Sequence, residues 1–233
     1  MKALLPAALT ALAVLSGCGT IASIGTGAGA MPLNEIPRYD GPRQVIYRID
    51  PYRYITTEAY EHCDRYGYVY WHDDRKNQHV EIGRTAMWRG RYVIEPGEER
   101  IAFPAFGCED KGCYVRIWFS NDGGKTWDIF SSERFGDSPW GRRDSTALGD
   151  IENTEVRVTA DGLIYVIASH RHHYSRYRLD GTPDQRPQGT ALADDSLYDW
   201  ENLATVPDVK TPSGQERFTC DSSLNPPPRP DDE

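Results

Sequence analysis

The stretch EVRVTADGLIYVIAS, residues 155–169, decides the fold class of this chain. In its first half polar and apolar side chains alternate around Arg157, which is typical of a strand with one buried and one solvated face. Its second half is rich in β-branched and aromatic residues, which favour extended structure. Asp161-Gly162 lies between the halves and predicts a two-residue hairpin turn. The stretch therefore predicts two antiparallel strands joined by a tight turn.

Strand signals of the same kind recur along the chain. Residues 135–151 and 180–201 lack them, so we expect loops or short helical turns there. No repeat of about 20 to 50 residues is present, which argues against a regular propeller. We predict a single all-β domain built as an antiparallel meander, either a sandwich or a propeller-like sheet array. The other strand signals are QVIYRI (44–49), RYITT (53–57), GYVYW (67–71), HVEIG (79–83), YVRIWFS (114–120), WDIFS (127–131) and YSRYRL (174–179).

The N-terminus has the anatomy of a lipoprotein signal peptide. Lys2 precedes an apolar run over residues 3–15, which is shorter than the roughly 20 residues of a membrane-spanning helix. The order Leu-Ser-Gly-Cys that ends at Cys18 predicts cleavage before that cysteine and acylation of it, for example with palmitate. An ordinary cleavage site with an incidental cysteine is the alternative. Gly19, where an Asp is typical of inner-membrane retention, favours the outer membrane.

These signals divide the chain into four predicted segments. Residues 1–17 are the signal peptide, 18–37 the lipidated cysteine with a Gly-rich flexible tether, 38–220 the all-β domain, and 221–233 a disordered Pro-rich tail. The formal net charge of −9 argues against binding to nucleic acid or to anionic lipid by charge. The expected location is therefore the periplasmic side of the envelope, with the membrane contacted through the lipid anchor.

Four cysteines remain besides Cys18, an even number that fits disulfides in an oxidising compartment. Three pairings are possible. We favour Cys108 with Cys113, which closes the tight loop CEDKGC, and Cys63 with Cys220, which ties the C-terminal end to the body. A metal site is the alternative, and it is disfavoured because the cysteines lack paired CxxC spacing.

The segment SNDGGKTW, residues 120–127, matches the Asp-box pattern S-x-D-x-G-x-T-W of sialidases and other propellers. The Asp side chain can accept hydrogen bonds from backbone amides in the turn, glycine permits positive φ, and the Trp can pack on the hairpin. Sialidases carry several such boxes in a longer chain, so a single box predicts a stabilised hairpin. The predicted turn residues are Ser120, Asp122, Gly124, Thr126 and Trp127.

No motif for catalysis or cofactor binding is present. The chain lacks a G-x-S-x-G elbow, a Gly-rich phosphate loop and an HExxH helix, so we predict no enzyme activity and no cofactor. His170 and His172 would face the same side of a strand, but no acid or cysteine lies at a telling spacing. We therefore predict no metal site.

The segment over residues 44–82 resembles the opening of the type VI secretion lipase-immunity lipoproteins, in particular the third Tli group. The V-x-Y-R-I-D strand, the pair Arg53-Tyr54 and Cys63 come in the order seen in that group. An Asp-box hairpin after a cysteine pair is also similar to that family. The resemblance implies a periplasmic binding protein, not a catalyst, that neutralises a secreted phospholipase. The alternatives are a carbohydrate-binding or sialidase-like envelope lipoprotein of Asp-box type and a purely structural envelope lipoprotein.

Aromatic and arginine side chains are the usual anchors of tight protein interfaces. The loop at residues 138–143, which contains Trp140, Arg142 and Arg143, is our first candidate for partner binding. Tyr198 and Trp200 are the second candidate. The alternative is that these tryptophans fill the core of the β fold.

Overall fold

The structure is a computed structural model that describes residues 38–65, 67–109, 112–135, 145–169, 173–179, 198–199, 204 and 206–227. These residues belong to one compact unit, Arg38–Glu233. Strands dominate it, as predicted. They are β1 (Gln44–Arg48), β2 (Arg53–Glu58), β3 (Gly67–Asp73), β4 (Gln78–Met87), β5 (Arg91–Ile94), β6 (Ile101–Glu109), β7 (Gly112–Ser120), β8 (Asp128–Phe135), β9 (Thr154–Val158), β10 (Leu163–Ala168), β11 (His173–Arg178) and β12 (Tyr198–Asp199). One α-helix, α1 (Ser145–Glu152), and the 3-10 turns Asp74–Lys76 and Ser222–Leu224 complete the described elements.

The first sheet has seven strands in the order β1-β2-β3-β4-β6-β7-β8. All its neighbours pair antiparallel, which confirms the predicted meander. Strand β4 pairs with two strands. Most of it pairs with β3, and Ala86 and Met87 at its end pair with β6. The sheet is therefore continuous from β1 to β8.

The second sheet has the order β12-β11-β10-β9-β5. Its β5 and β9 pair in parallel, a feature that the predicted antiparallel meander does not contain. Parallel neighbours need a long crossover connection. Here residues 95–153 supply it, since they contain β6, β7, β8 and α1.

One hydrophobic core cluster draws side chains from both sheets. Ile55 and Trp71 contribute from the first sheet, and Val156 and Ile164 from the second. All four are fully buried. Because the two sheets bury their apolar side chains in the same cluster, they form a single domain, as predicted.

The hairpin between β9 and β10 forms, but its loop has three residues instead of the predicted two. The Thr159 amide donates to the Leu163 carbonyl at 2.9 Å, and the Gly162 amide donates to the Thr159 carbonyl at 2.9 Å. Only Gly162 in this loop has a positive φ, 86°. A two-residue loop with a type I′ turn needs positive φ at both central positions. A three-residue loop, which is a type I turn followed by a left-handed glycine, needs positive φ only at that glycine.

Both disulfides have the pairing that we favoured, Cys63 with Cys220 and Cys108 with Cys113. The segment after Cys220 belongs to the predicted disordered tail, but its described part forms a 3-10 turn that begins after Asp221. The Gln44 side chain accepts from the Asp221 amide at 2.7 Å and donates to its carbonyl at 3.1 Å. Ordered chain therefore continues past Cys220. None of the helices in the described ranges is long and apolar enough to cross a membrane.

Candidate partner-binding face on the first sheet

The solvent side of strands β2 to β4 carries a group of aromatic and charged side chains. Alternate residues of these strands, such as Ile55, Val69 and Trp71, point into the core. The residues between them form what we call the aromatic face. It consists of Tyr54, Tyr68, Tyr70, His72 and His79, with Arg38, Arg43, Arg48, Glu58 and Glu81 around them.

Strand register brings the rings of this face into a row. Tyr54 is paired with His72 across β2 and β3, and His72 with His79 across β3 and β4. The Tyr54 and His72 ring centroids are 4.5 Å apart with 8° between the planes, and the His72 and His79 centroids are 4.6 Å apart with 18°. The Tyr70 and His79 ring centroids are 4.9 Å apart. Cross-strand aromatic pairs of this kind stabilise a sheet and hold the rings in place.

His72 is the buried centre of the row, with 5% of its surface exposed. The pKa of His72 is lowered to about 4, chiefly by burial and to a smaller extent by the nearby His79 and Arg43. One ring nitrogen, Nε2, lies 2.9 Å from the Thr56 hydroxyl. The imidazole is therefore neutral at physiological pH and packs as an uncharged aromatic ring.

Arginine side chains cover two of the tyrosine rings. The Arg38 guanidinium carbon lies 4.1 Å from the centroid of Tyr68, and the Arg48 guanidinium carbon lies 4.9 Å from that of Tyr54. Arg38 also donates to Glu81 at 3.4 Å, and Glu81 accepts from the Tyr70 hydroxyl at 2.9 Å. Cation–π and charged contacts thus link the rings to a polar rim.

The rim is open to solvent while the centre is packed. The side chains of Arg38 and Arg43 are 57% and 52% exposed, and Glu81 is 43% exposed. Arg43 pairs with Glu58 at 3.2 Å. Exposed ion pairs like these contribute little to stability, so their side chains can reorient towards a partner at small cost.

The turn between β1 and β2 extends the face at one end. Asp50 fixes this turn, since its carboxylate accepts from the Tyr52 amide at 2.9 Å, the Arg53 amide at 2.8 Å and the Arg53 Nε at 2.7 Å. Tyr52 is half exposed. The hydroxyl of Tyr54 donates to Asp74 at 3.1 Å, so the end of the ring row is anchored to the neighbouring turn.

Comparison with known proteins identifies the family. A family model described as "T6SS Tli3 immunity protein" matches residues 39–168, more than half of the chain. The chain belongs to the Tli3 immunity family. Membership makes it an immunity protein of a type VI secretion system and implies that it binds a secreted effector. No curated protein matches the chain.

The region matched by the Tli3 model begins before β1 and ends with β10. It therefore contains the aromatic face except Arg38, and it contains the turn between β7 and β8. In that turn the Asp122 carboxylate accepts from the Lys125 and Thr126 amides at 3.0 Å each and from the Thr126 hydroxyl at 2.6 Å. Gly124 has a positive φ of 91°, and the Trp127 indole donates to the Gly124 carbonyl at 3.0 Å.

The carboxylate of Asp122 is thus used by its own turn. Burial alone raises the pKa of Asp122, but the hydrogen bonds from Thr126, Ser120 and Lys125 outweigh burial and hold it below the ordinary value. Within the described ranges, no three His, Cys, Asp or Glu side chains are grouped so that they could hold a metal ion. The geometry of this turn fits a folding role in the Tli3 domain.

Several predicted residues cannot be placed on this geometry. Cys18, Trp140, Arg142, Arg143 and Trp200 lie outside the described residues, and so do His170 and His172. The backbone of Tyr198 is in β12 beside β11, but its side chain is not among those described. These residues stay predictions for the Tli3 protein.

Sequence reasoning missed the aromatic face, although a signal for it is present. On a strand with one solvated face, every second residue is expected to be polar. In β2 those positions hold Tyr54, Thr56 and Glu58, and in β3 they hold Tyr68, Tyr70 and His72. The high content of aromatic rings at these solvent-facing positions is the sequence signal for the face.

Proposed function

We propose that this chain is a lipid-anchored periplasmic immunity protein that binds and neutralises a secreted phospholipase. Membership of the Tli3 immunity family supports the immunity role. The lipobox at Cys18 supports the anchor, and the two disulfides suit an oxidising compartment. An anchored inhibitor stands beside the phospholipids that such an effector attacks, so the anchor and the proposed target fit together.

We further propose the aromatic face as the surface that contacts the effector. The observation that carries this is the row of stacked rings over His72 with arginines on its rim. Tyrosine and arginine are enriched among residues that dominate binding energies. Because sheet register and stacking already fix the rings, little side-chain entropy remains to be lost on association.

The size of the face limits what it can do alone. With β1, which carries Arg48, the face covers four strands, and at a spacing of about 4.8 Å and about six residues of roughly 3.4 Å each it measures on the order of 400 Å². A stable interface buries about 800 Å² on each partner. The effector must therefore also contact adjoining turns, and the exposed Tyr52 at the β1–β2 turn is suitably placed to enlarge the surface.

Inhibition would follow from occlusion. A protein held across the effector's active-site entrance excludes phospholipid without any chemical step by the inhibitor. The proposal thus requires tight binding and no catalytic group on this chain.

Binding to a phospholipase secreted by a type VI secretion system tests both proposals. Arg38→Ala and Tyr68→Ala should each weaken binding by roughly tenfold or more, since anchor residues commonly contribute above about 1.4 kcal/mol. Lys210→Ala is the matched control, because its side chain is 82% exposed and lies off the aromatic face. Calorimetric Kd values and phospholipid hydrolysis rates are measured, and thermal unfolding verifies the fold. Unchanged Kd values for both face variants would refute the aromatic face as the binding surface. Failure of the wild type to bind would refute the phospholipase as the partner.

A further inference from the structure

A C-terminal segment, residues 206–221, lies along the outer edge of β1. We call it the strap. The Ser213 amide donates to the Ile49 carbonyl and the Thr219 amide to the Ile46 carbonyl, both at 2.9 Å. Residues of the strap therefore satisfy backbone carbonyls on the outer edge of β1 and directly after its end.

The same strap also binds the edge of the second sheet. Its Glu216 carbonyl accepts from the Tyr92 amide on β5 at 2.8 Å. The Thr211 hydroxyl accepts from the Ile94 amide at 3.1 Å, and Arg91 pairs with Glu216 at 2.8 Å. The strap thus joins the edges of the two sheets.

Tyr47 is the buried centre of this junction. Its hydroxyl lies 2.8 Å from the Gln215 carbonyl and 2.9 Å from the Tyr92 carbonyl, and 2.7 Å from the Thr211 hydroxyl. Its ring contacts Phe218 of the strap at 4.9 Å between centroids. Tyr47 is fully buried, so a detached strap would leave its hydroxyl without two of its three partners and expose its ring.

One disulfide fixes the end of the strap. Cys220 is bonded to Cys63 in the turn between β2 and β3, across 157 residues of sequence. The bond between Cys108 and Cys113 spans only 5 residues and joins positions already paired in β6 and β7. Because Cys220 ends the strap, the Cys63–Cys220 bond is the one that holds the strap in place.

The strap is connected to the aromatic face through β1. Arg48, which covers Tyr54, lies on β1 opposite Tyr54 of β2. The Arg48 amide donates to the Gln215 side chain at 2.8 Å, and the Ser213 hydroxyl donates to the Arg48 carbonyl at 2.5 Å. Release of the strap would free both backbone groups of the residue that caps the ring row.

We propose that the Cys63–Cys220 disulfide is a redox latch that confines effector binding to an oxidising compartment. When it forms, two thiols give two electrons and two protons to a disulfide-carrying oxidant by thiol–disulfide exchange, and the strap closes on β1 and β5. Two equivalents of a thiol reductant reverse the step and release the strap. The binding consequence rests on the proposed function: chains still in the reducing cytoplasm would leave the effector free, and exported chains would capture it.

Hydrogen exchange of the native protein tests the latch without the effector. The oxidised wild type is compared with protein treated with dithiothreitol and alkylated, with Cys63→Ser/Cys220→Ser, and with the matched control Cys108→Ser/Cys113→Ser. The amides of Thr219 and Tyr92 should exchange at least tenfold faster in the first two samples than in the oxidised wild type. The control should match the wild type at those amides, and the Val115 amide of β7 should stay slow in every sample.

Two results would overturn the latch. One is slow exchange of Thr219 and Tyr92 after loss of the Cys63–Cys220 bond, which means that the strap needs no latch. The other is fast exchange of Val115 as well, which means that the bond holds the whole fold and not the strap. Binding to the phospholipase is measured in parallel, and Cys63→Ser/Cys220→Ser should bind at least tenfold more weakly than the cysteine control. Failure of the oxidised wild type to bind removes the phospholipase proposal, while the exchange data still decide the latch.

Discussion

The ring of Tyr54 lies flat against the ring of His72, with 4.5 Å between centroids and 8° between planes. His72 in turn stacks on His79, so a buried imidazole is enclosed by aromatic neighbours on both sides. An enclosed ring of this kind can take up a proton only by charging a site that water does not reach.

Stability should therefore fall with acid because of His72. The pKa of His72 is about 4 in the folded protein and 6.5 in its ordinary state, so the unfolded chain binds the proton more readily. The contribution of His72 to the free energy of unfolding is fully present above about pH 6.5 and is lost as the pH falls towards 4. The slope of that free energy against pH follows the difference in bound protons between the unfolded and the folded chain. Urea unfolding of wild type and His72→Gln between pH 7 and 4 measures it, and the variant should show the shallower slope. A His62→Gln variant, changed at a more exposed histidine, should keep the wild-type slope, and equal slopes for all three proteins would contradict the assignment.

Tyr47→Phe should destabilise the domain by about 1 to 3 kcal/mol, because the substitution leaves buried carbonyl and hydroxyl groups without a partner. The three polar atoms within 2.9 Å of the hydroxyl belong to β5 and the strap. Denaturant unfolding gives the change in free energy. Tyr52→Phe removes the hydroxyl of a half-exposed tyrosine and should change the stability by less than about 0.5 kcal/mol. A similar small change for both variants would show that the hydrogen bonds of the Tyr47 hydroxyl contribute little to the stability of the domain.

Asp122→Asn should cost about 2 kcal/mol at neutral pH, since a charged acceptor of several hydrogen bonds is lost from the β7–β8 turn. Hydrogen bonds hold the pKa of Asp122 below its ordinary value of 3.8 despite burial. Its contribution is therefore present above pH 3.8 and lost as the pH falls through the lower folded value. Unfolding midpoints at pH 7 and at pH 3 check this, with Lys125→Ala as the control at an exposed side chain of the same turn. A difference from wild type that persists undiminished in acid would speak against an ionised Asp122.

Cys18→Ser should move the protein from the membrane fraction to the soluble fraction without changing its fold. The reason is that the acyl chains are the proposed membrane contact. Fractionation of cells followed by detection of the protein gives the distribution, and circular dichroism of the soluble form checks the fold. Cys108→Ser/Cys113→Ser, which alters two other cysteines, should stay in the membrane fraction. A membrane fraction that Cys18→Ser leaves unchanged would refute the lipobox.

Most strands could be predicted because alternation and β-branched composition are local properties. The hairpin at residues 155–169 and the pairing of Cys108 with Cys113 followed from such local signals, and Cys63 with Cys220 was then the pair that remained. Strand β6 was missed because Pro104 lies within it, and proline normally excludes a central strand. The structure tolerates it because β4 pairs with β6 only at Ala105 and Phe106, so the position of Pro104 has no partner on that side.

The parallel pair of β5 and β9 and the strap could not be predicted, because they join residues far apart in sequence. The segment RYVI, residues 91–94, is too short to predict a strand on its own. The strap carries no alternation, and its place is set by edges of β1 and β5 that exist only in the folded sheets. The aromatic face was hidden for a similar reason, since the stacking of Tyr54, His72 and His79 depends on the register of three strands.

The position of the strap also sets the order in which the domain can be completed. Strand β1 is the first described strand to be synthesised, yet one of its edges stays open until residues 206–221 have followed. Cys63 waits for a partner 157 residues later. A nascent chain that has folded its first hairpins therefore still presents an exposed strand edge and a free thiol, which are features that invite wrong pairing. Folding of this protein should depend on rapid delivery of its C-terminal end, and chains truncated before the strap should aggregate even though they contain every strand of the first sheet.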